Sequence, residues 1–201
     1  MAIAGAWIAP NGALRQSRAL GDPKWSEAEL VREAFRIICE GHPRLVGWNT
    51  SGFDLPVLIY RAMRHQIAAP AFYQHGEPYH GYRKRFDEES HIDLMDMLSN
   101  YGASARLKLD EMATTLGIPG KLEVDGSQAW PLYQASNIEA IRTYGMSNVL
   151  TTTLIYAHYA LHRGWWDETQ ATTFKESVAT WLDAQAGHDW VALQEKLLPN
   201  L

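Results

Sequence analysis

The sequence predicts a mixed α/β fold with a small sheet and a helical C-terminal half. Three observations carry this. Two short strand-like runs, Ala2 to Ala9 and ALRQSRAL, flank Asn11-Gly12, a dipeptide that favours a tight hairpin turn. Apolar residues then recur at helical spacing after Ser26 and again after Asp54. From Asn137 onward the spacing stays helical.

The elements follow in order. GDPKWSEAEL reads as a loop that ends in Ser26, a helix N-cap, with Glu29 placed for a capping box. The helix it starts runs to about Cys39, with Leu30, Val31, Phe35, Ile37 and Ile38 apolar. GHPRLVGW gives a turn and a short buried strand, Arg44 to Trp48. After the polar break NTSG, Asp54 to His65 reads as a helix with Leu58, Ile59 and Met63 inward. APAFYQHGEPYHGYRKRFDEESH is rich in Tyr, Gly, His and charge, so an irregular loop or lid is expected. HIDLMDMLSNYG reads as a strand end and a short helix. Leu109 to Leu116 reads as a helix stopped by Gly117 and Pro119, and GSQAWPLYQAS as a short helix. A long amphipathic helix runs from Asn137 to near Gly164, followed by helices at about Glu168 to Ala184 and His188 to Leu198. Trp165, Trp166, Trp181 and Trp190 are expected to pack these last helices.

Composition bounds the function. At 201 residues the chain is one domain, with residues from about 165 to 201 as an extension. Apolar residues make up 46%, enough for a packed core. A net charge of -5 argues against coating nucleic acid by bulk charge, though not against a local basic groove. Cys39 is the single cysteine, so an internal disulfide and a cysteine-based zinc site are excluded, and a reducing cytoplasm is the expected setting. No apolar run is long enough to span a membrane.

Two stretches carry candidate chemistry. In LVGWNTSGFDLPVLIYRAM the NTSG turn leaves a buried strand, and Asp54 falls where a helix begins. The helix dipole favours a carboxylate there. From the residues alone it either caps the helix, the commoner use, or binds a divalent cation. In YGMSNVLTTTLIY, Tyr144 and Asn148 are one turn apart on one helix face. They read either as two groups aimed at one site or as a core tyrosine beside a surface amide. Within the loop, Arg83, Lys84 and Arg85 accompany Tyr73, Tyr79, Tyr82 and three histidines. That mixture suits clamping a single strand, and it equally suits a solvated loop. Asp93 and Asp96 are expected to cap the short helix.

These stretches resemble the DEDDy-type 3′-5′ exonucleases, the predicted exonucleases related to the proofreading domain of family-B DNA polymerases. LVGWNTSGFDLPVLIYRAM resembles their second motif, where an Asn precedes a Phe-Asp pair, here Asn49, Phe53 and Asp54. YGMSNVLTTTLIY resembles their third, a Tyr followed four residues later by Asp. The resemblance implies a ribonuclease H-like three-layer fold with a small mixed sheet. It implies carboxylates holding two Mg2+ or Mn2+ ions that activate water and stabilise charge on the phosphodiester. It makes Asp54 a metal ligand, Tyr144 the residue that positions the water, and Asn49, Phe53, Arg83, Lys84 and Arg85 a nucleic-acid surface.

Two departures alter the expectation. Asn148 stands where the third motif has its aspartate, and an amide offers one carbonyl oxygen and no charge. The Asp-x-Glu motif of the leading strand is absent from these residues, and Ala2 to Ala9 matches the strand after it. Asp54 is then the sole carboxylate at four ligand positions, which makes the metal ions doubtful and impaired catalysis the expectation. The chain is expected to bind single-stranded DNA or RNA, or a protein partner or second copy that completes the sheet. The rival is a working exonuclease whose first motif lies outside these residues.

Overall fold

A computed structural model describes residues 1–77, 79–118, 129–185, 190 and 194–195. The chain is mixed α/β and divides into two compact units. One is formed by Leu20–Leu107, and the other by Ala2–Ala19 together with Lys108–Leu201.

The first unit opens with α1 (Glu27–Gly41), which starts at the Ser26–Glu29 capping box that the sequence predicts. Then come β3 (Leu45–Gly47), α2 (Asp54–Arg64), α3 (Pro70–Gln74), β4 (His91–Asp93) and α4 (Leu94–Leu98). β3 and β4 pair in parallel, with Leu45 opposite His91 and Gly47 opposite Asp93. Val31, Phe35 and Ile38 of α1 pack with Ile59 and Ala62 of α2 and with Phe72 and Tyr82 to form the core.

Two expectations fail in this unit. Met63 is not inward; it is 70% exposed, because α2 turns its Ile59 and Ala62 face to α1. The segment after α2 is not uniformly irregular. It carries α3, and its Tyr82 is buried in the core with the phenol donating to the Pro43 carbonyl at 3.0 Å. Burial pushes that phenol up to about 12, so it stays a donor. Tyr82 therefore cannot stack on a base.

The second unit is built on the hairpin of β1 (Ala4–Ile8) and β2 (Leu14–Ala19). The strands pair antiparallel, and the register shifts between Trp7 and Ile8. Gly12, at φ +89°, makes the turn in the left-handed region that the Asn-Gly pair predicts. The long helix α7 (Ile138–His162) packs on both strands, and α8 (Glu168–Asp183) packs on β2. α5 (Leu109–Thr115) and α6 (Ala129–Gln134) lie on α7. Trp166 is buried edge-on to Tyr156, and Trp181 meets Trp190 edge-to-face, so these tryptophans do pack the C-terminal helices. The helix expected at His188 to Leu198 lies largely outside the described residues.

The small sheet structure is mixed, as expected, and among the described residues it consists of two pairs of strands, β1 with β2 antiparallel and β3 with β4 parallel.

Candidate functional site

The parallel register of β3 and β4 ends both strands at the same level, with Gly47 beside Asp93. The chain then turns through Asn49, Thr50 and Ser51. Asp93 holds this turn from below. Its carboxylate accepts the backbone N–H of Asn49 at 2.9 Å and of Ser51 at 2.8 Å. It also accepts Met95 N–H at 3.2 Å, so it caps α4 as expected. Thr50 and the His91 ring share a hydrogen bond at 2.7 Å. Burial lowers the His91 ring below its ordinary value despite the carboxylates of Asp93, Asp87 and Asp96 nearby, so the ring is neutral at neutral pH.

Asn49 sits at φ +59°, a left-handed conformation that Asn tolerates better than most residues. Its side-chain oxygen occupies the space a Cβ on Gly52 would need, 2.5 Å away. A side chain at position 52 would therefore displace the Asn49 amide from its present place in the turn. Phe53 donates its N–H to the Asn49 carbonyl at 2.9 Å and leaves its side chain 61% exposed.

Asp54 is the first residue of α2. The capping alternative does not hold: the N-cap is Phe53, and no side chain caps the helix. Asp54 is exposed, yet the protein atoms crowding its carboxyl raise it above its ordinary value, its own backbone N–H opposes this, and the charge of Asp93 adds to the rise.

Arg83, Lys84 and Arg85 are exposed on the segment that follows α3. Asp87, buried beside them, pins that segment. It accepts N–H groups of Gly81, of Glu89 at 2.9 Å and of Ser90 at 3.3 Å. Burial alone would raise its carboxyl, but these bonds outweigh burial and hold it well below the usual carboxylate range. Asp96 does not cap; it pairs with Arg106 at 2.5 Å.

Tyr144 and Asn148 lie on α7 in the second unit, both half-buried. Ser147 donates to the Tyr144 carbonyl, and Thr152 to that of Asn148, each at 2.8 Å. Gly145 between them brings the helix close to Ala4 of β1, 3.5 Å from where a Cβ would stand. The structure thus gathers Asn49, Phe53 and Asp54 around Asp93 and leaves Arg83–Arg85 on an exposed segment of the same unit. Asp93 caps α4 as the sequence predicts, but its second role, holding the Asn49–Ser51 turn, is not one the sequence reading foresees. Its hold on the turn depends on a strand pairing between residues 46 apart, which no local pattern announces.

The donor set does not suit a pair of divalent cations. Among the described residues, no three His, Cys, Asp or Glu side chains gather closely enough to hold one. Asp93, nearest in charge to Asp54, has both carboxylate oxygens engaged by backbone N–H groups.

The mixed α/β architecture is that of the ribonuclease H-like exonuclease fold. The chain belongs to the predicted 3′-5′ exonucleases related to the exonuclease domain of PolB, whose family model matches residues 1–196. No curated protein matches the chain. Among the described residues, no helix is long and apolar enough to cross a membrane.

Proposed function

We propose that this chain holds a nucleic-acid strand on an exonuclease scaffold and hydrolyses it poorly or not at all with its own residues. The observation that carries the reading is Asn148, a neutral amide at the third-motif ligand position, with Asp54 the one carboxylate at the motif positions. Two dications about 4 Å apart repel by roughly 16 kcal/mol at an effective dielectric near 20. Clustered carboxylates offset such repulsion, and one carboxylate with an amide does not. Asp54 would be the metal ligand, Asn148 a degenerate one, and Tyr144 the residue beside the reacting end. Asn49 and Phe53 would border the strand, and Arg83, Lys84 and Arg85 would meet its phosphates. A cytoplasmic setting belongs to the proposal, since a chain with one cysteine needs no oxidising compartment.

A second reading is an active exonuclease on DNA or RNA whose first motif is supplied from outside these residues. The turn built beneath Asp54 by Asp93 and His91 favours it, because it fixes the place of that carboxylate. A protein partner or a second copy that pairs along β1 or β3 is a further part of the first reading. It is supported by each of these strands pairing with one neighbour only among the described residues.

The test is manganese-dependent digestion of a 5′-labelled single strand, as DNA and as RNA. The chain and its Asn148→Asp and Asp54→Ala variants are compared, and retention of the uncut strand is followed by gel shift. The expected result is a bound, intact strand with all three. Digestion by the unaltered chain that Asp54→Ala abolishes would establish the second reading in its place.

A further inference from the structure

We infer that Phe86, Arg85 and Tyr101 form a platform on which an unpaired base stacks, with Arg83 and Lys84 beside it to meet the phosphates. This rests on the nucleic-acid reading above and deepens it to a single strand.

Phe86 is 70% exposed, although it immediately precedes the fully buried Asp87 side chain. Its ring meets that of Tyr101 edge-to-face, with centroids 4.6 Å apart and planes at 71°. The Arg85 guanidinium lies 5.7 Å from both ring centroids and donates to the Tyr101 carbonyl at 3.0 Å. Two rings and one cation are therefore already assembled at the surface. Lone exposed aromatic residues are ordinary. An exposed ring propped by a second ring and a cation-π contact has its orientation set before any ligand arrives.

The support beneath is rigid on both sides. Asp87 ties the segment carrying Phe86 through three backbone N–H groups. Asn100 and Tyr101 both adopt left-handed backbone, φ +48° and +56°, which costs energy in residues other than glycine. Bonds from Tyr101 N–H to the Asp96 carbonyl at 2.6 Å and from Ser104 N–H to the Ser99 carbonyl at 2.9 Å hold that turn. A ring so held loses little freedom on stacking, which is what makes a stacking contact strong.

Charge selects the occupant. Arg83, Lys84 and Arg85 are consecutive exposed cations in a chain whose net charge is -5. The chain does not attract a polyanion on average, so a run of three exposed cations is a local departure that favours one. Aromatic faces beside cations suit a strand whose bases are unstacked; in a duplex the base faces are occupied by their neighbours.

The test is fluorescence anisotropy with a labelled 12-nucleotide single strand, as DNA and as RNA, and with the matching duplex. The unaltered chain is compared with Phe86→Leu and Phe86→Trp. Phe86 packs into no core, so both variants should fold, Phe86→Trp melting with the unaltered chain and Phe86→Leu slightly below it through loss of the ring and cation-π contacts. Phe86→Leu is expected to weaken single-strand binding by on the order of tenfold, Phe86→Trp to preserve it, and the duplex to bind more weakly than either strand. If the unaltered chain binds and Phe86→Leu binds equally well, or if the duplex binds better, the platform is wrong and the nucleic-acid reading survives. If the unaltered chain binds none of the probes, both fall.

Discussion

Glu27, the first residue of α1, is where a single titration bears on the fold. Its carboxylate accepts from Arg61 of α2, at 2.8 Å from Nε and through a second, shorter bond from Nη2, and it meets the His65 ring at 2.8 Å. The Arg61 bonds are the largest cause that lowers its pKa from 4.5 to about 2, with burial opposing and His65 adding. The unfolded chain binds this proton more readily than the folded one. The stabilisation is therefore complete above about 4.5 and is lost as the pH falls toward 2. The group is partly exposed, and screening leaves a worth on the order of 1 kcal/mol. Glu27→Gln is expected to destabilise the chain by that amount near neutral pH, with the gap closing toward pH 2. Urea unfolding of both proteins across this range checks it, and a gap that does not change with pH would refute the assignment. The same scale shows why single residues were misread. Nothing in a Gly-, Tyr- and Arg-rich segment distinguishes Tyr82, which completes a core, from Tyr73 and Tyr79, which are exposed. Met63 satisfies helical spacing, yet it lies one step off the face that α1 covers.

At the scale of elements, what was legible was local. The Asn-Gly hairpin and the Ser26–Glu29 box are short-range signals, and both stand where the sequence puts them. The boundaries of α2, α7 and α8 fall within two residues of those expected, because Gly52 precedes α2, Asn137 and Asp167 cap α7 and α8, and Gly164 follows α7. The parallel pairing of β3 with β4 was not legible, since three-residue strands carry no period of their own. The clamp by Asp93 was lost with it. The hairpin also has a tertiary constraint the turn signal does not reveal. A Cβ on Gly12 would lie 2.5 Å from the Gln170 carbonyl oxygen of α8. Gln170 also donates its side-chain amide to the Pro10 carbonyl at 2.9 Å. Gly12→Ala would thus meet both an unfavourable φ of +89° and a backbone clash. It is expected to cost about 2 kcal/mol. Thermal melts would show this as a lowered midpoint, and an unchanged midpoint would mean that the turn moves away from α8 at no cost.

For the whole molecule, charge decides how any strand is held. With 23 acidic and 18 basic side chains, the chain repels a polyanion on average. Binding must then be local, saturable and of low charge count. A coating protein releases many counterions, whereas three consecutive cations release few. Each phosphate neutralised on a single strand changes the slope of log affinity against log salt by about 0.7. Arg83, Lys84 and Arg85 together predict a slope near -2 for this chain. They also predict one strand per chain when the probe is as short as 12 nucleotides. Substituting Arg83→Ala should flatten the slope by about 0.7, while Phe86→Leu should lower the affinity and leave the slope unchanged, because stacking releases no ions. Anisotropy titrations over a range of salt concentrations separate these two quantities. A slope much steeper than three contacts allow would place the strand on cations elsewhere in the chain. A slope near zero would remove phosphate contacts from the account and leave the strand held by its bases alone.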